Sequence, residues 1–288
     1  MRLRLPFQPP LDADALLHHF RARVVAGIEE VGDHAYRRSL RLAGGAAVVE
    51  LLIDPQAVVA ELELSDPGDA DSAAVRCSHT LGLESDPAAV VAALGDDPLL
   101  GAAVRAAPGR RVPGTPDGDE LAVRAVLGQQ ISLASAAAAA ARLVRAYGEP
   151  LAGRARPAGA VTHLFPTAAA LASVDPASFR MPRSRARTLH ALSGALASGE
   201  IVLARGGDPE RVRAQLLALP GIGPWTADYV VMRALGDTDV FLATDLGIKR
   251  ALERLGVDAD PAAALALAER WRPYRSFAMQ YLWAMPAS

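Results

Sequence analysis

Gln215-Leu-Leu-Ala-Leu-Pro-Gly-Ile-Gly-Pro-Trp-Thr-Ala-Asp-Tyr-Val230 is the stretch from which the rest of the chain can be read. An apolar helix leads in from about Glu210. Pro220-Gly221-Ile222-Gly223 then makes a tight turn, in which glycines are free to take positive φ. Pro224 falls where the first residue of a second helix should stand, a position that tolerates proline. The pattern therefore predicts helix, hairpin turn, helix over about 210–235.

Gly221, Ile222 and Gly223 are expected to present backbone N–H groups at the start of that second helix. Such N–H groups, aided by the helix dipole, form a ready phosphate site. Phosphate contact of this kind positions a duplex without reading its sequence. An ordinary helical turn is the plain alternative, since Pro-Gly-x-Gly alone is common.

Working downstream, Asp239-Val-Phe-Leu-Ala-Thr-Asp-Leu-Gly-Ile-Lys-Arg250 holds a short apolar, strand-like segment and then a helix start at Thr244-Asp245. On its own Asp245 reads as a helix cap. Asp237 and Asp239 read as solvated loop residues. Working upstream, helix starts are marked by Asp86-Pro87, Thr167, Asp175-Pro176 and Asp208-Pro209. Asp119 to Tyr147 reads as one long helical region broken near Gly128-Gln129-Gln130. Arg183, Arg185 and Arg187 open a further helix, either as a solvated face or as phosphate contacts.

The first ninety residues differ. Asp14 to Glu30 reads as an amphipathic helix, with Leu16, Leu17, Phe20, Val24 and Ile28 near helical spacing. The period then changes to two. Tyr36–Leu42 and Ala46–Ile53 flank Gly44-Gly45, and Ala57–Leu64 alternates polar with apolar. The fold class expected is an α+β N-terminal domain with a small antiparallel sheet over 1–88, then a mainly α core over 89–288.

Bulk properties narrow the function. The 288 residues are 51% hydrophobic and 22% charged, enough for a sizeable core. No apolar run approaches a membrane span, and Met1 to Pro6 lacks the apolar region of a signal peptide. The single cysteine, Cys77, excludes a disulfide framework, a four-cysteine zinc site and a cysteine-ligated iron–sulfur cluster. The six histidines show no metal-ligand spacing, and His18-His19 reads as a helix-surface pair. A cytoplasmic monomer without a cofactor is the expectation. The formal net charge of −2 means that any nucleic-acid contact must come from a local patch and backbone amides.

The string Leu219-Pro-Gly-Ile-Gly-Pro-Trp-Thr-Ala227 resembles the helix-hairpin-helix element of DNA glycosylases. Gln8-Pro-Pro10, Arg37-Arg-Ser-Leu40, Leu127-Gly-Gln129, Phe165-Pro-Thr167, Met181-Pro182, Trp271-Arg-Pro-Tyr-Arg-Ser-Phe277 and Leu282-Trp283 extend the resemblance over nearly the whole chain. Together they resemble the bacterial 3-methyladenine DNA glycosylase II family. That resemblance implies an N-terminal domain similar to half of a TATA-binding fold and a two-lobed helix-hairpin-helix glycosylase core. The partner it implies is double-stranded DNA containing damaged bases.

The resemblance also assigns roles. Asp245 matches the essential aspartate, a carboxylate that stabilises positive charge on the sugar as the base departs. Trp225 and Tyr229, four apart on one helix face, and Trp283 would receive a base flipped out of the duplex. Cationic alkylated purines suit such rings, at about 0.5–2 kcal/mol per cation–π contact. His19 and Leu246 stand at pocket positions where relatives carry phenylalanine and tyrosine, and Ala284 replaces a further tyrosine. Gly221, Ile222, Gly223, Thr226 and Lys249, the only lysine, would contact DNA. Gln130 would fill the space left by the flipped nucleotide, or else cap the helix break. Bifunctional members carry a catalytic lysine where this chain has Trp225, which cannot form a Schiff base. A cation bridging the carbonyls of Leu217, Leu219 and Ile222 to a phosphate is a further implication. Other readings are a DNA-binding protein without catalysis, and a glycosylase for deaminated or etheno bases.

Overall fold

The computed structural model describes residues 1–152 and 159–285. A five-stranded antiparallel sheet forms the front, with strands β1 (Arg2–Leu5), β2 (Glu29–Val31), β3 (Ala35–Leu42), β4 (Gly45–Ile53) and β5 (Val58–Leu64) in the order β1-β5-β4-β3-β2. The β3–β4 hairpin closes with Leu42 opposite Gly45, which takes φ +129°. In β5, Ala60, Leu62 and Leu64 are buried while Glu61 and Glu63 are exposed, so the two-residue period sets the sheet face. Helices α1 (Ala13–Arg21) and α2 (Ala70–Leu81) cover the buried face.

One expected element is shorter than its periodicity suggests. The helix predicted from Asp14 to Glu30 ends at Arg21, and Glu29–Val31 pairs with β3 instead. Gly27 takes φ +98° and bridges to Val161, a conformation that a helix cannot hold. Tertiary pairing overrides the local pattern here.

The remaining helices are α3 (Pro87–Leu94), α4 (Gly101–Ala106), α5 (Gly118–Leu127), α6 (Leu133–Tyr147), α7 (Ala168–Ala172), α8 (Arg183–Ala197), α9 (Pro209–Leu217), α10 (Pro224–Val230), α11 (Leu246–Arg254), α12 (Pro261–Ala268) and α13 (Arg275–Trp283). Asp86, Thr167 and Asp208 cap the helices they were expected to start, by accepting backbone N–H bonds. Asp175 caps only a short 3₁₀ turn. The break in the long helical region falls at 128–132, between α5 and α6. No helix among the described residues is long and apolar enough to cross a membrane.

Most buried apolar residues fall into a sheet cluster running from Leu5 to Leu83 and a larger helical cluster that includes Val90 to Leu282, beside a small group of Val48, Leu151, Val161 and Leu164. Val25 and Ile28 belong to the second although they sit in the first segment. A buried ion network joins the two. Arg38 on β3 bonds Glu29 at 3.2 Å and Glu120 on α5 at 2.6 Å, and Arg124 bonds the same two carboxylates at 2.9 and 2.8 Å. Each carboxylate thus faces two guanidinium groups, which offsets the cost of burying charge.

Candidate active site

The hairpin forms as its glycines and prolines dictate, but its two glycines do different work. Gly221 takes φ +81°, and a Cβ there would sit 2.1 Å from Thr188 Oγ1. Gly223 takes φ −96°, caps α10, and a Cβ on it would meet nothing within 4 Å. Both are exposed. The expectation of three bare N–H groups needs correction at Ile222. Its N–H donates to the Leu219 carbonyl at 3.3 Å, and its side chain is buried. Thr226 is also corrected: it is 4% exposed beneath the turn and accepts a hydrogen bond from Gln129 Nε2 at 3.1 Å. A buried hydroxyl cannot meet a phosphate, so Thr226 positions the turn.

Gln129 belongs to the Leu127-Gly-Gln129 motif but carries no assigned role from sequence. Its amide also donates to the Gly221 carbonyl at 3.0 Å, and Arg185 donates to the Gln129 carbonyl at 2.6 Å. The helix break is thereby fastened to the hairpin and to α8. Beside it Gln130 stands exposed at φ +58°, the one non-glycine among the described residues with positive φ. Ile131 and Leu133 next to it are 38% and 48% exposed. The signal in the sequence was a pair of glutamines at a helix break.

Asp245 caps α11, with Oδ1 accepting the Ile248 N–H at 3.0 Å. Trp283 Nε1 donates to the same oxygen at 2.8 Å, and Trp225 Nε1 donates to Oδ2 at 3.0 Å. Oδ1 is thus saturated, while Oδ2 keeps one lone pair for a reacting group. The carboxylate lines an open cleft together with His19, Arg23, Tyr229, Trp225 and Trp283. Trp225 and Tyr229 stack with ring centroids 5.1 Å apart and planes 8° from parallel. Burial, then the charges of Arg23, Arg233 and Arg124, hold His19 well below its ordinary 6.5, so it is neutral at pH 7.

Other expected positions lie elsewhere. Leu246 is 57% exposed and does not line the cleft, because the first residue of α11 points outward once Asp245 caps inward. Ala284 does line it. Lys249 sits one turn along α11, exposed, 3.9 Å from Glu253. Asp228 is paired with Arg213 at 2.5 Å, and is therefore no free acid beside Asp245. Asp239 is no solvated loop residue, since Arg275 bonds it at 2.8 Å and Arg272 pairs with it as well. The apolar segment 240–242 forms no strand, although Val240, Phe241 and Leu242 are all buried. Among the described residues no group of three His, Cys, Asp or Glu is placed to hold a metal ion.

Two further residues escaped the sequence. Gly247 packs so closely that a Cβ would lie 2.9 Å from Trp283 Cδ1 and 3.0 Å from Asp245 Oδ1. Arg233 is 1% exposed, with its guanidinium carbon 5.2 Å from the Tyr229 ring centroid. Nothing in their local sequence sets them apart.

Comparison with known proteins agrees with this layout. Residues 2–117 match the AlkA N-terminal domain. Residues 123–275 match the HhH-GPD superfamily base excision DNA repair protein family. The chain is 48% identical over 281 residues to the probable bifunctional transcriptional activator/DNA repair enzyme AlkA of Mycobacterium tuberculosis, covering 98% of this chain and 56% of that protein. It therefore spans little more than half the length of that relative. Against DNA-3-methyladenine glycosylase 2 of Escherichia coli it is 36% identical over 285 residues, covering 97% of this chain and 95% of the other. The solved 3-methyladenine DNA-glycosylase from Archaeoglobus fulgidus superposes with a TM-score of 0.83 at 22% identity, over 98% and 97% of the two chains, a likeness of fold. By its sheet module, its glycine hairpin and the aspartate that follows, the chain belongs to the HhH-GPD superfamily of base excision DNA repair proteins, with an AlkA-type N-terminal domain.

Proposed function

We propose that the chain is a monofunctional DNA glycosylase. It flips alkylated bases of the 3-methyladenine and 7-methylguanine type out of double-stranded DNA and hydrolyses their N-glycosidic bond. The observation that carries this reading is the seating of Asp245, held by two indole N–H groups at the wall of an aromatic cleft beside the hairpin. A capping aspartate needs no such partners; a carboxylate that must meet an extruded sugar needs a fixed direction.

The placement supports the following steps. The Gly221 and Gly223 amides take a backbone phosphate, with Lys249 as a second contact on α11. Gln130 enters the gap left by the flipped nucleotide. The base lodges against Trp225, Tyr229, Trp283 and the neutral His19. Oδ2 of Asp245 then faces the sugar, where positive charge grows as the base leaves, and guides the attacking water. A cationic base departs as a neutral molecule, so no second carboxylate is required. The absence of a lysine at 225 supports hydrolysis without strand cleavage. The name of the E. coli relative supports the choice of methylated purine. The scheme calls for water and no cofactor, in a cytoplasmic monomer beside the chromosome. The division near residue 88 rests on the two buried clusters, while the N-terminal family match runs on to residue 117. A hard cation on the Leu217, Leu219 and Ile222 carbonyls is compatible with the turn, since the Leu219 oxygen is only lightly engaged at 3.3 Å.

The test is release of labelled base from methylated duplex DNA, with Asp245→Asn alongside. The wild type should release methylated purines and the variant should not. Normal release by the variant would sink the mechanism, and borohydride-trapped strand cleavage by the wild type would overturn the monofunctional assignment.

A further inference from the structure

Little packing holds the break between α5 and α6, since residues 130–135 are all exposed. The hydrogen bonds that tie it to other elements meet at Gln129, which is half-buried. Its side-chain Nε2 donates to the Gly221 carbonyl at 3.0 Å and to the Thr226 hydroxyl at 3.1 Å. An amide nitrogen carries two hydrogens, so both are spent on the hairpin. The Gln129 carbonyl accepts from Arg185 of α8 at 2.6 Å, and its N–H donates to the Val126 carbonyl at 3.3 Å.

The same side chain acts on the hairpin. The peptide between Gly221 and Ile222 has its oxygen held by Gln129 and its N–H held by the Leu219 carbonyl at 3.3 Å. A planar group fixed at both ends sets the direction of the turn that follows, where Gly223 opens α10. Thr226 is buried within α10, so the second bond reaches the helix as well as the turn.

Gln130 is the next residue, about 3.8 Å along the Cα trace. Its φ of +58° is one that a non-glycine residue keeps only where its surroundings fix it. The bonds made by Gln129 fix the peptide on one side of it. Gln129 does not line the Asp245 cleft, so it acts on the reaction only through its neighbours.

We propose that Gln129 is the positioning residue that couples phosphate capture at the hairpin to entry of Gln130 into the duplex; this rests on the glycosylase reading. With the amide in place, the Gly221 and Gly223 amides and the Gln130 side chain form one rigid unit. Binding energy gained at the backbone phosphate is then spent on forcing the nucleotide out of the stack. Without it the break yields when the duplex resists, and the nucleotide returns to the stack. A fastener that serves folding alone makes a different prediction. Such a fastener and Gln130 contribute independently, so their losses multiply. A residue that works through Gln130 has nothing left to do once that side chain is gone.

The experiment is a double-mutant cycle of Gln129→Met and Gln130→Gly on a duplex holding 7-methylguanine. Methionine keeps the length and removes both donors. Single-turnover release gives the rate, and 2-aminopurine beside the lesion reports unstacking by its fluorescence. Expected for Gln129→Met is release about tenfold slower, the scale of one or two net hydrogen bonds. The 2-aminopurine signal should weaken, while affinity for undamaged duplex stays within about threefold of wild type, because phosphate contact remains. The double variant should release base within about twofold of Gln130→Gly alone. Losses that multiply in the double variant would assign Gln129 to the fold and overturn the proposal, as would a Gln129→Met variant that matches wild type. Gln130→Gly as fast as wild type also overturns it and leaves the glycosylase reading standing. A wild type that releases no methylated base ends both. Should Gln129→Met fail to fold, Thr226→Val removes one of the two acceptors and keeps the buried shape. Release slower by about threefold alone, and no slower on the Gln130→Gly background, supports the proposal. The same loss on both backgrounds overturns it.

Discussion

Trp283 and Asp245 stand thirty-eight residues apart in the chain, yet the indole N–H of one donates to the carboxylate of the other at 2.8 Å. Together with the α11 amide at 3.0 Å this bond fills Oδ1, leaving Oδ2 as the oxygen that can face a substrate. Trp283→Phe keeps the ring and removes the donor. The excision rate is expected to fall about tenfold, since one hydrogen bond to a charged group, of about 1.5 kcal/mol, no longer fixes the carboxylate. Single-turnover base release reports the rate, and unchanged release would show that the bond does not orient Asp245.

Gly247 keeps that geometry possible. Alanine is ordinarily preferred over glycine inside a helix by about 1 kcal/mol. In Gly247→Ala the new methyl meets Trp283 Cδ1 at 2.9 Å and Asp245 Oδ1 at 3.0 Å. The expected result is lower excision with no gain in melting temperature. A more stable, fully active variant would show that the site yields freely.

The two hairpin glycines should separate stability from binding. Gly221→Ala places a methyl 2.1 Å from Thr188 Oγ1 at φ +81°, and should cost about 1–3 kcal/mol of stability. Gly223→Ala meets open space at φ −96°, so stability should change by less than about 0.5 kcal/mol. Its methyl stands where a phosphate would approach, and duplex affinity should fall about tenfold. Denaturant melts and fluorescence anisotropy check both, and unaltered affinity of Gly223→Ala would move the phosphate elsewhere.

Gln130 holds a left-handed conformation that costs a non-glycine residue roughly 1 kcal/mol. Gln130→Gly relieves that strain and removes the side chain. Stability should hold or rise slightly, partly offset by the freer unfolded chain. Excision from duplex DNA should fall by about tenfold or more, with release from single strands less affected. Equal loss on both forms would show that Gln130 fills no gap in the duplex.

His19 offers a test by pH. Its folded pKa lies well below 6.5, through burial and the charges of Arg23, Arg233 and Arg124. Between that value and 6.5 the unfolded chain holds more protons than the folded one, so stability is lost as pH falls. The contribution is fully present above pH 6.5. His19→Phe removes it, so the melting temperature should fall less between pH 7 and pH 5 in the variant than in the wild type. Parallel curves would place His19 in an ordinary environment.

The sequence by itself determined the parts whose causes are local. Turn and cap chemistry marked the hairpin at Gly221–Pro224, the caps at Asp86, Thr167 and Asp208, and the break at 128–132, and each lies where these residue types place it. Alternation set the face of β5. Asp245 was legible as a cap from its neighbours, and as a candidate catalyst only through resemblance. The tertiary structure alone decided what that carboxylate is bound to, because its partners arrive from α10 and α13. It likewise ended α1 at Arg21, by offering Glu29–Val31 a strand to pair with. It buried Thr226, turned Leu246 outward and brought the Arg233 guanidinium against the Tyr229 ring. Periodicity specifies which face of an element is apolar, but not which distant side chain will stand opposite it. The hydrogen bonds and charges of this site belong to that second kind of fact.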